Sequence, residues 1–237
     1  MRNVLVLTAV LPEARALARA LRLAKCPSDL PFWQNDQFGG GLSLACIGIA
    51  GTNLSRVIPP TTAKLIVMAG VAGALSPDLQ RGDVVLNTTT PLPAPLPHLN
   101  HVHIGQIHTA QTLVTTPAQK AQLFNTTKCL AVDMETNIAH EFARKHNAAF
   151  VALRGISDTA NESLDPKLLS LVDSDGNPHI AQAIAMLAVR PWKLAELIRL
   201  QATTNSAMTR IARILTELIA SGWPEKAAVR LAHPPPT

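Results

Sequence analysis

The chain has 237 residues, 47% hydrophobic and only 16% charged, which gives one sizeable core and excludes a disordered protein. Its 21 Lys and Arg outnumber 16 acids by five, with much of the excess after residue 189. Aromatic residues are 3% and Tyr is absent, so no basic run alternates with stacking side chains and nucleic acid is not an expected partner.

Val4 to Leu7 reads as a buried strand. The apolar start is only superficially a signal peptide, because it runs straight into Pro12 and Glu13 without a polar cleavage region. Pro12 takes the favoured first position of a helix reaching about Leu23. Phe32 to Phe38 and Leu42 to Ile49 form a hairpin through Gly39, Gly40 and Gly41. A glycine turn at Gly48 to Gly51 leads into a helix from Thr52 or Asn53, ended by Pro59-Pro60. Leu65 to Ala69 is a buried strand running into the glycine-bearing stretch Gly70 to Leu75, and Val84 to Leu86 is another strand. Pro91 to Pro97 is an extended loop beside the site rather than an SH3-type ligand. His103 to Val114 adds strand and Pro117 to Asn125 a short helix. Thr159 to Pro178 is loop with a helical turn or two, and Ile180 to Val189 and Lys193 to Ala220 are helical. The reading is one α/β domain over residues 1–232 with a mostly parallel or mixed sheet, a helical extension from about 180 and a disordered tail over 233–237.

Cys26, Cys46 and Cys129 are odd in number, widely spaced and in apolar settings, so buried free thiols of a reducing compartment are expected. Cys46 lacks the positive setting of a reactive thiol. No apolar stretch is long enough to span a bilayer, and a cytoplasmic location is expected.

Two acidic segments carry the chemistry. Ala131-Val132-Asp133-Met134-Glu135 and Arg154-Gly155-Ile156-Ser157-Asp158 each sit where an apolar, strand-like run gives out. Between them fit one amphipathic helix, Thr136 to His146, and one strand, Ala148 to Leu153. That order predicts a right-handed parallel unit with Glu135 and Asp158 at one carboxyl-end edge, where open α/β sheets bind ligands. Two carboxylates meeting in one crevice suit cleavage of a glycosidic bond.

These segments, with Glu13 after the first strand, Gly48-Ile49-Ala50-Gly51, Ala69-Gly70-Val71-Ala72-Gly73-Ala74-Leu75 and Arg81-Gly82-Asp83-Val84-Val85, resemble the purine nucleoside phosphorylase and methylthioadenosine/S-adenosylhomocysteine nucleosidase superfamily. The resemblance runs in order from Val4 to about Asp158. It implies a three-layer nucleoside phosphorylase-like α/β fold, a central mixed sheet flanked by helices. Thr115 to Phe124, Leu171 to Pro178 and Val189 to Leu197 are similar to the hopanoid-associated branch, linked to removal of adenine from adenosylhopane. A dimer or larger homo-oligomer, no resident cofactor and no metal follow from the same resemblance.

The resemblance also implies roles. Asp158 would protonate the leaving purine, with Ser157 beside it; Glu135 would accept ribose hydroxyls; Met134 would cover the sugar face. Glu13 would orient the attacking water. Gly70, Val71 and Gly73 would let the backbone approach the ligand, and Thr112, Leu113 and Val114 would line the base through main-chain groups. Each has a plainer alternative: Asp158 and Asp133 as helix caps, Met134 as core, Glu13 as an acid favoured in a helix's first turn. Arg154, if close to Asp158, would oppose its protonation.

Phosphorylases of the superfamily place an Arg before the glycine stretch and a Ser within it. Met68 and Val71 stand there, leaving Arg15 and Arg56 as candidate phosphate ligands. Hydrolysis is therefore favoured over phosphorolysis with phosphate as co-substrate. A general methylthioadenosine/S-adenosylhomocysteine nucleosidase is the rival reading, and a non-catalytic nucleoside-binding or lipid-surface protein comes from another class. His98, His101, His103 and His108 cluster without Cys or an acid pair, and Asp173-Ser174-Asp175-Gly176 lacks later calcium ligands, so neither reads as a metal site. The apolar residues of 193–220, interleaved with Arg199, Arg210 and Arg213, pack on the sheet or a second subunit, or else touch anionic lipid.

Overall fold

A computed structural model describes residues 3–27, 30–35, 41–57, 62–92, 101–165, 173–179 and 193–223. The strands are β1 (Val4–Thr8), β2 (Ala24–Lys25), β3 (Phe32–Asn35), β4 (Leu42–Cys46), β5 (Leu65–Ala74), β6 (Val84–Thr88), β7 (Val102–Ile104), β8 (Ile107–Thr109), β9 (Ala131–Asp133) and β10 (Ala149–Asp158). The helices are α1 (Leu11–Ala20), α2 (Leu54–Val57), α3 (Pro117–Thr127), α4 (Thr136–Lys145) and α5 (Lys193–Ala220). They form a mixed ten-stranded sheet in the order β2-β3-β4-β1-β5-β10-β6-β7, with β9 joining β5 to β8. This is the flanked mixed sheet expected of a nucleoside phosphorylase-like fold.

Alternation along the central strands splits the core into two layers. Val4, Val6, Val67 and Val151 face α1 and α5, while Leu5, Leu7, Ile66, Met68 and Ala152 face the other side. Helix α1 presents Ala14, Leu17 and Leu21 at helical spacing, and α5 presents Met208, Ile211, Leu215 and Leu218. The distal part of α5 thus packs on the sheet, whereas Leu194 and Ile198 near its start are exposed. No helix of the described residues is long and apolar enough to cross a membrane.

Several boundaries differ from the sequence reading. Helix α1 stops at Ala20, because Ala24–Lys25 pairs with Trp33 and Gln34 at the sheet edge. The strand expected to end at Ala69 continues: β5 runs through the glycine-bearing stretch to Ala74 because β10 pairs with it from Leu65 to Gly73. Residues Ala110 to Thr115 are not strand. The parallel unit expected around α4 is absent. Strand β10 is parallel to β5, but β9 is antiparallel to it, Gly73 opposite Val132 and Ala74 opposite Ala131. The Pro91–Pro97 loop beyond Leu92, Pro59-Pro60, Gly39-Gly40, the helix over 180–189 and the tail over 233–237 lie outside the described residues.

Where α5 crosses β10 the two backbones meet at Gly155. A Cβ there would stand 2.5 Å from Ala207 Cβ, closer than packed carbons tolerate. Gly155→Ala is expected to destabilise the fold by about 1–3 kcal/mol, read by urea denaturation; an unchanged midpoint would show that α5 yields freely.

Candidate active site

A buried guanidinium organises the first half of the site. Arg154, fully buried in the middle of β10, lies opposite Gly70 of β5. Its Nε and Nη2 donate to Asp133 Oδ2 at 2.6 and 2.5 Å, and Nη2 reaches Glu135 Oε2 at 3.0 Å. Because β9 runs antiparallel to β5, its exit carries Asp133 and then Glu135 back along β5 toward Gly70. The Ala50 amide donates to Glu135 Oε1 at 3.1 Å, tying the 3-10 turn Ile49–Gly51 to the same carboxylate.

Glu13 closes this centre from α1. It is buried, and its Oε1 accepts from the Val71 amide at 2.8 Å while Oε2 faces the Val10 amide at 3.4 Å. A Cβ on Gly70 would stand 2.2 Å from Arg154 Nη1 and about 3 Å from both Glu13 oxygens, so glycine is required for them to converge. Arg154 Nη1 is buried without a hydrogen-bond partner among the described residues. Burial pushes the Glu13 carboxyl up to about 7, against the pull of Arg154. Burial likewise raises Glu135 above the usual carboxylate range. For Arg154 burial opposes the charge, but Asp133, Glu135 and Glu13 more than offset it and hold the guanidinium above its ordinary value.

The second half lies further along the same strands. A bulge between Ile156 and Asp158 makes Ser157 the extra residue and sets Asp158, not Ser157, opposite Gly73. Asp158 is buried, its Oδ2 would lie 3.1 Å from a Cβ on Gly73, and its Oδ1 accepts from Ser157 Oγ at 2.6 Å. Lys120, from the first turn of α3, donates to Asp158 Oδ2 and to the carbonyls of Thr159 and Glu162 at 2.7 and 2.8 Å. Arg81 steadies that turn, bonding the Ser157 carbonyl at 2.5 Å and Glu162 at 2.7 Å. Gly70 and Gly73 are three strand residues apart, so the two centres are spaced roughly 10 Å along β5. Val71, Gly73 and Met134 between them are only partly covered.

The candidate residues therefore divide. Glu13, Glu135, Gly70 and Val71 meet at Arg154; Asp158, Ser157 and Gly73 meet at Lys120. Thr112 and Leu113 are exposed and Val114 half-buried, in the segment whose neighbour Thr115 accepts from the Leu164 amide. Arg15 and Arg56 are not brought in. Arg15 points to solvent, two residues round α1 from buried Glu13, and Arg56 is exposed, 3.9 Å from Asp175.

Three roles need correcting. Arg154 pairs with Asp133 and Glu135, and the cation at Asp158 is Lys120. Asp133 does accept from the Thr136 amide at the start of α4, but it also anchors Arg154. The backbone at Gly70 and Gly73 belongs to a strand, since β5 continues to Ala74. Lys120 lies among Gln119, Ala121 and Gln122 in an ordinary helical segment and Arg154 in an apolar strand, and neither shows its partners, which are distant in sequence. His101 and His103 both lie against Asp83, at 3.2 and 3.3 Å, and burial raises the Cys46 thiol to about 11.

Comparison with known proteins bears on this geometry. A search among curated proteins gives no match. Among solved structures, futalosine hydrolase of Helicobacter pylori superposes with a TM-score of 0.63 at 15% identity, over 93% of this chain and 98% of its own. A 5'-methylthioadenosine/S-adenosylhomocysteine nucleosidase of the same organism, complexed with an aminopyrrolopyrimidine–pyrrolidine ligand, gives 0.63 and 15% over the same shares. That of Campylobacter jejuni gives 0.61 and 18%, over 92% of this chain and all of its own. Identities this low establish a shared fold. The sequence profile of the Phosphorylase superfamily matches residues 95–220, more than half the chain and inclusive of Lys120, Asp133, Glu135, Arg154 and Asp158. The chain belongs to the phosphorylase superfamily.

Proposed function

We propose that this enzyme cleaves the N-glycosidic bond of an adenine nucleoside by hydrolysis, with adenosylhopane as the favoured substrate in hopanoid biosynthesis. The observation that carries the hydrolytic reading is that Glu13 and the Nη1 of Arg154, which has no hydrogen-bond partner among the described residues, both lie beside Gly70. A water molecule there would find one donor and one acceptor. A carboxyl raised to about 7 suits a base that must take its proton near neutrality.

Charge argues against phosphate at this place. Arg154 is already shared among Asp133, Glu135 and Glu13, so a phosphate dianion would meet carboxylates without a free cation. Met68 is buried core and Val71 apolar, while Arg15 and Arg56 are turned to solvent.

The nucleoside would lie along β5. Glu135 would accept from ribose hydroxyls, bonds that strengthen as the sugar gains positive charge, with half-buried Met134 beside it. Asp158, about 10 Å further along the strand, would protonate the leaving base. The segment Thr112 to Val114 would border that base. The adenosylhopane preference rests on the sequence likeness of Thr115 to Phe124 and of the segments after residue 170 to the hopanoid-associated branch. A second reading, a general methylthioadenosine/S-adenosylhomocysteine nucleosidase, is favoured by the names of the structural neighbours. Contact with a membrane through α5 and a dimeric or larger assembly belong to the same proposal.

Adenine release from adenosylhopane and from methylthioadenosine, with and without phosphate, separates these readings. Free ribose-type product at equal rates in both buffers is expected; dependence on phosphate would overturn hydrolysis. Asp158→Asn should lower turnover by roughly 10²–10⁴-fold, and undiminished release would remove Asp158 as the acid.

Glu13 makes a further, opposite pair of predictions. Its folded-state value is raised from 4.5 to about 7, so the folded chain holds a proton that the unfolded chain has lost. That contribution is complete below about pH 4.5 and is lost as pH rises through 7. Glu13→Gln should abolish most turnover, yet raise the melting temperature at pH 8 relative to wild type and flatten its fall between pH 4.5 and 8. A melting curve with unchanged pH dependence would show that the carboxyl is not buried in this way.

A further inference from the structure

We propose that Lys120 is a positioning residue for Asp158, holding the carboxyl against Gly73 and steadying the charge it acquires when it gives its proton to the leaving base. The inference rests on the nucleoside-cleaving reading and adds to it a residue whose charge no fold requirement explains.

Lys120 is in an unfavourable place on two counts. It is fully buried, and it is the fourth residue of α3, where the helix macrodipole repels a cation. The capping of α3 is already complete without it, through Thr116 and Gln119. A neutral side chain of the same length would cost less if packing were the only task. What offsets the cost is a full set of acceptors, Asp158 Oδ2 and the Thr159 and Glu162 carbonyls, one for each ammonium hydrogen.

The other oxygen of Asp158 is arranged to change state. Ser157 Oγ lies 2.6 Å from Asp158 Oδ1 and 3.2 Å from the Ala72 carbonyl, and a hydroxyl carries one hydrogen. It either donates to Oδ1, when Asp158 is charged, or donates to Ala72 and accepts from Oδ1, when Asp158 is neutral. Both states keep Oδ2 on Lys120 without movement of heavy atoms. In turnover the Oδ1–H bond breaks as an N–H bond forms on the base, and the electrons of the glycosidic bond leave with the base. The carboxylate left behind faces an ammonium already in contact; like any close cation it works against the protonated resting state, but it makes Asp158 a stronger acid once solvent has restored the proton. A fixed cation aimed at charge that develops during the step accelerates it.

The test uses the full chain with methylthioadenosine as probe, comparing Lys120→Met, Lys120→Arg, Asp158→Asn and the double variant Lys120→Met/Asp158→Asn. We expect kcat to fall roughly 10²-fold in Lys120→Met with KM nearly unchanged, partial recovery in Lys120→Arg, and a double variant no slower than Asp158→Asn alone. Losses that multiply in the double variant, or wild-type kcat in Lys120→Met, would overturn the proposal while leaving the nucleosidase reading intact. A wild-type chain that releases no base from any adenine nucleoside sinks both. If Lys120→Met fails to fold, lysine 15N NMR of the wild type replaces it. A slowly exchanging ammonium signal that moves in Asp158→Asn supports the pair, and one that ignores Asp158→Asn refutes it.

Discussion

Everything at the centre of this molecule is arranged around one fully buried guanidinium. An unpaired charge in the middle of a sheet would be prohibitive, so Arg154 requires Asp133 and Glu135 at hydrogen-bond distance. Meeting that requirement fixes more than the pair. It sets how β9 leaves the sheet, where α4 begins, and, through the Ala50 amide on Glu135, the position of the turn after β4. Glu13 then brings the start of α1 to the same point. One cation thereby orders three separate stretches of chain, the β9–α4 junction, the turn after β4 and the start of α1.

The long strand β5 acts as the common axis of two polar centres. Each centre faces a glycine, Gly70 for Arg154 and Glu13, Gly73 for Asp158, because any side chain there would occupy the space the charged groups need. Each centre also joins a carboxylate to a buried cation, but with different balance. Three acids share Arg154, and burial leaves Glu13 near neutrality in its proton affinity. A single acid holds Lys120, whose remaining hydrogens are taken by main-chain carbonyls. Acid is thus in excess at one end of this axis and matched by a single cation at the other.

Local pattern made much of this fold legible. The apolar run Val4 to Leu7, the proline opening α1 and the amphipathic stretch that becomes α4 all announce themselves, because each is decided by neighbours in sequence. What escaped depends on pairing at long range. The glycines at 70 and 73 carry little strand preference of their own, and pairing with β10 and β9 keeps them extended. The direction of β9 follows from its pairing with β5 and β8, which no periodicity in Ala131-Val132-Asp133 encodes. The acids Glu13, Glu135 and Asp158 were recognisable as candidates, whereas their cations were not. Lys120 sits within an ordinary-looking helical segment, and its significance lies in an oxygen thirty-eight residues away.

The bulge at Ser157 carries a consequence for how such a chain can change over time. With this spacing, regular pairing beyond Ile156 would set the Ser157 hydroxyl across from Gly73, and only the bulge brings the Asp158 carboxyl there. Loss of Ser157 itself would keep the carboxyl across from Gly73 on an unbulged strand, without the hydroxyl beside it. A relative of the same length that paired without the bulge would present an alcohol where this chain presents a carboxyl.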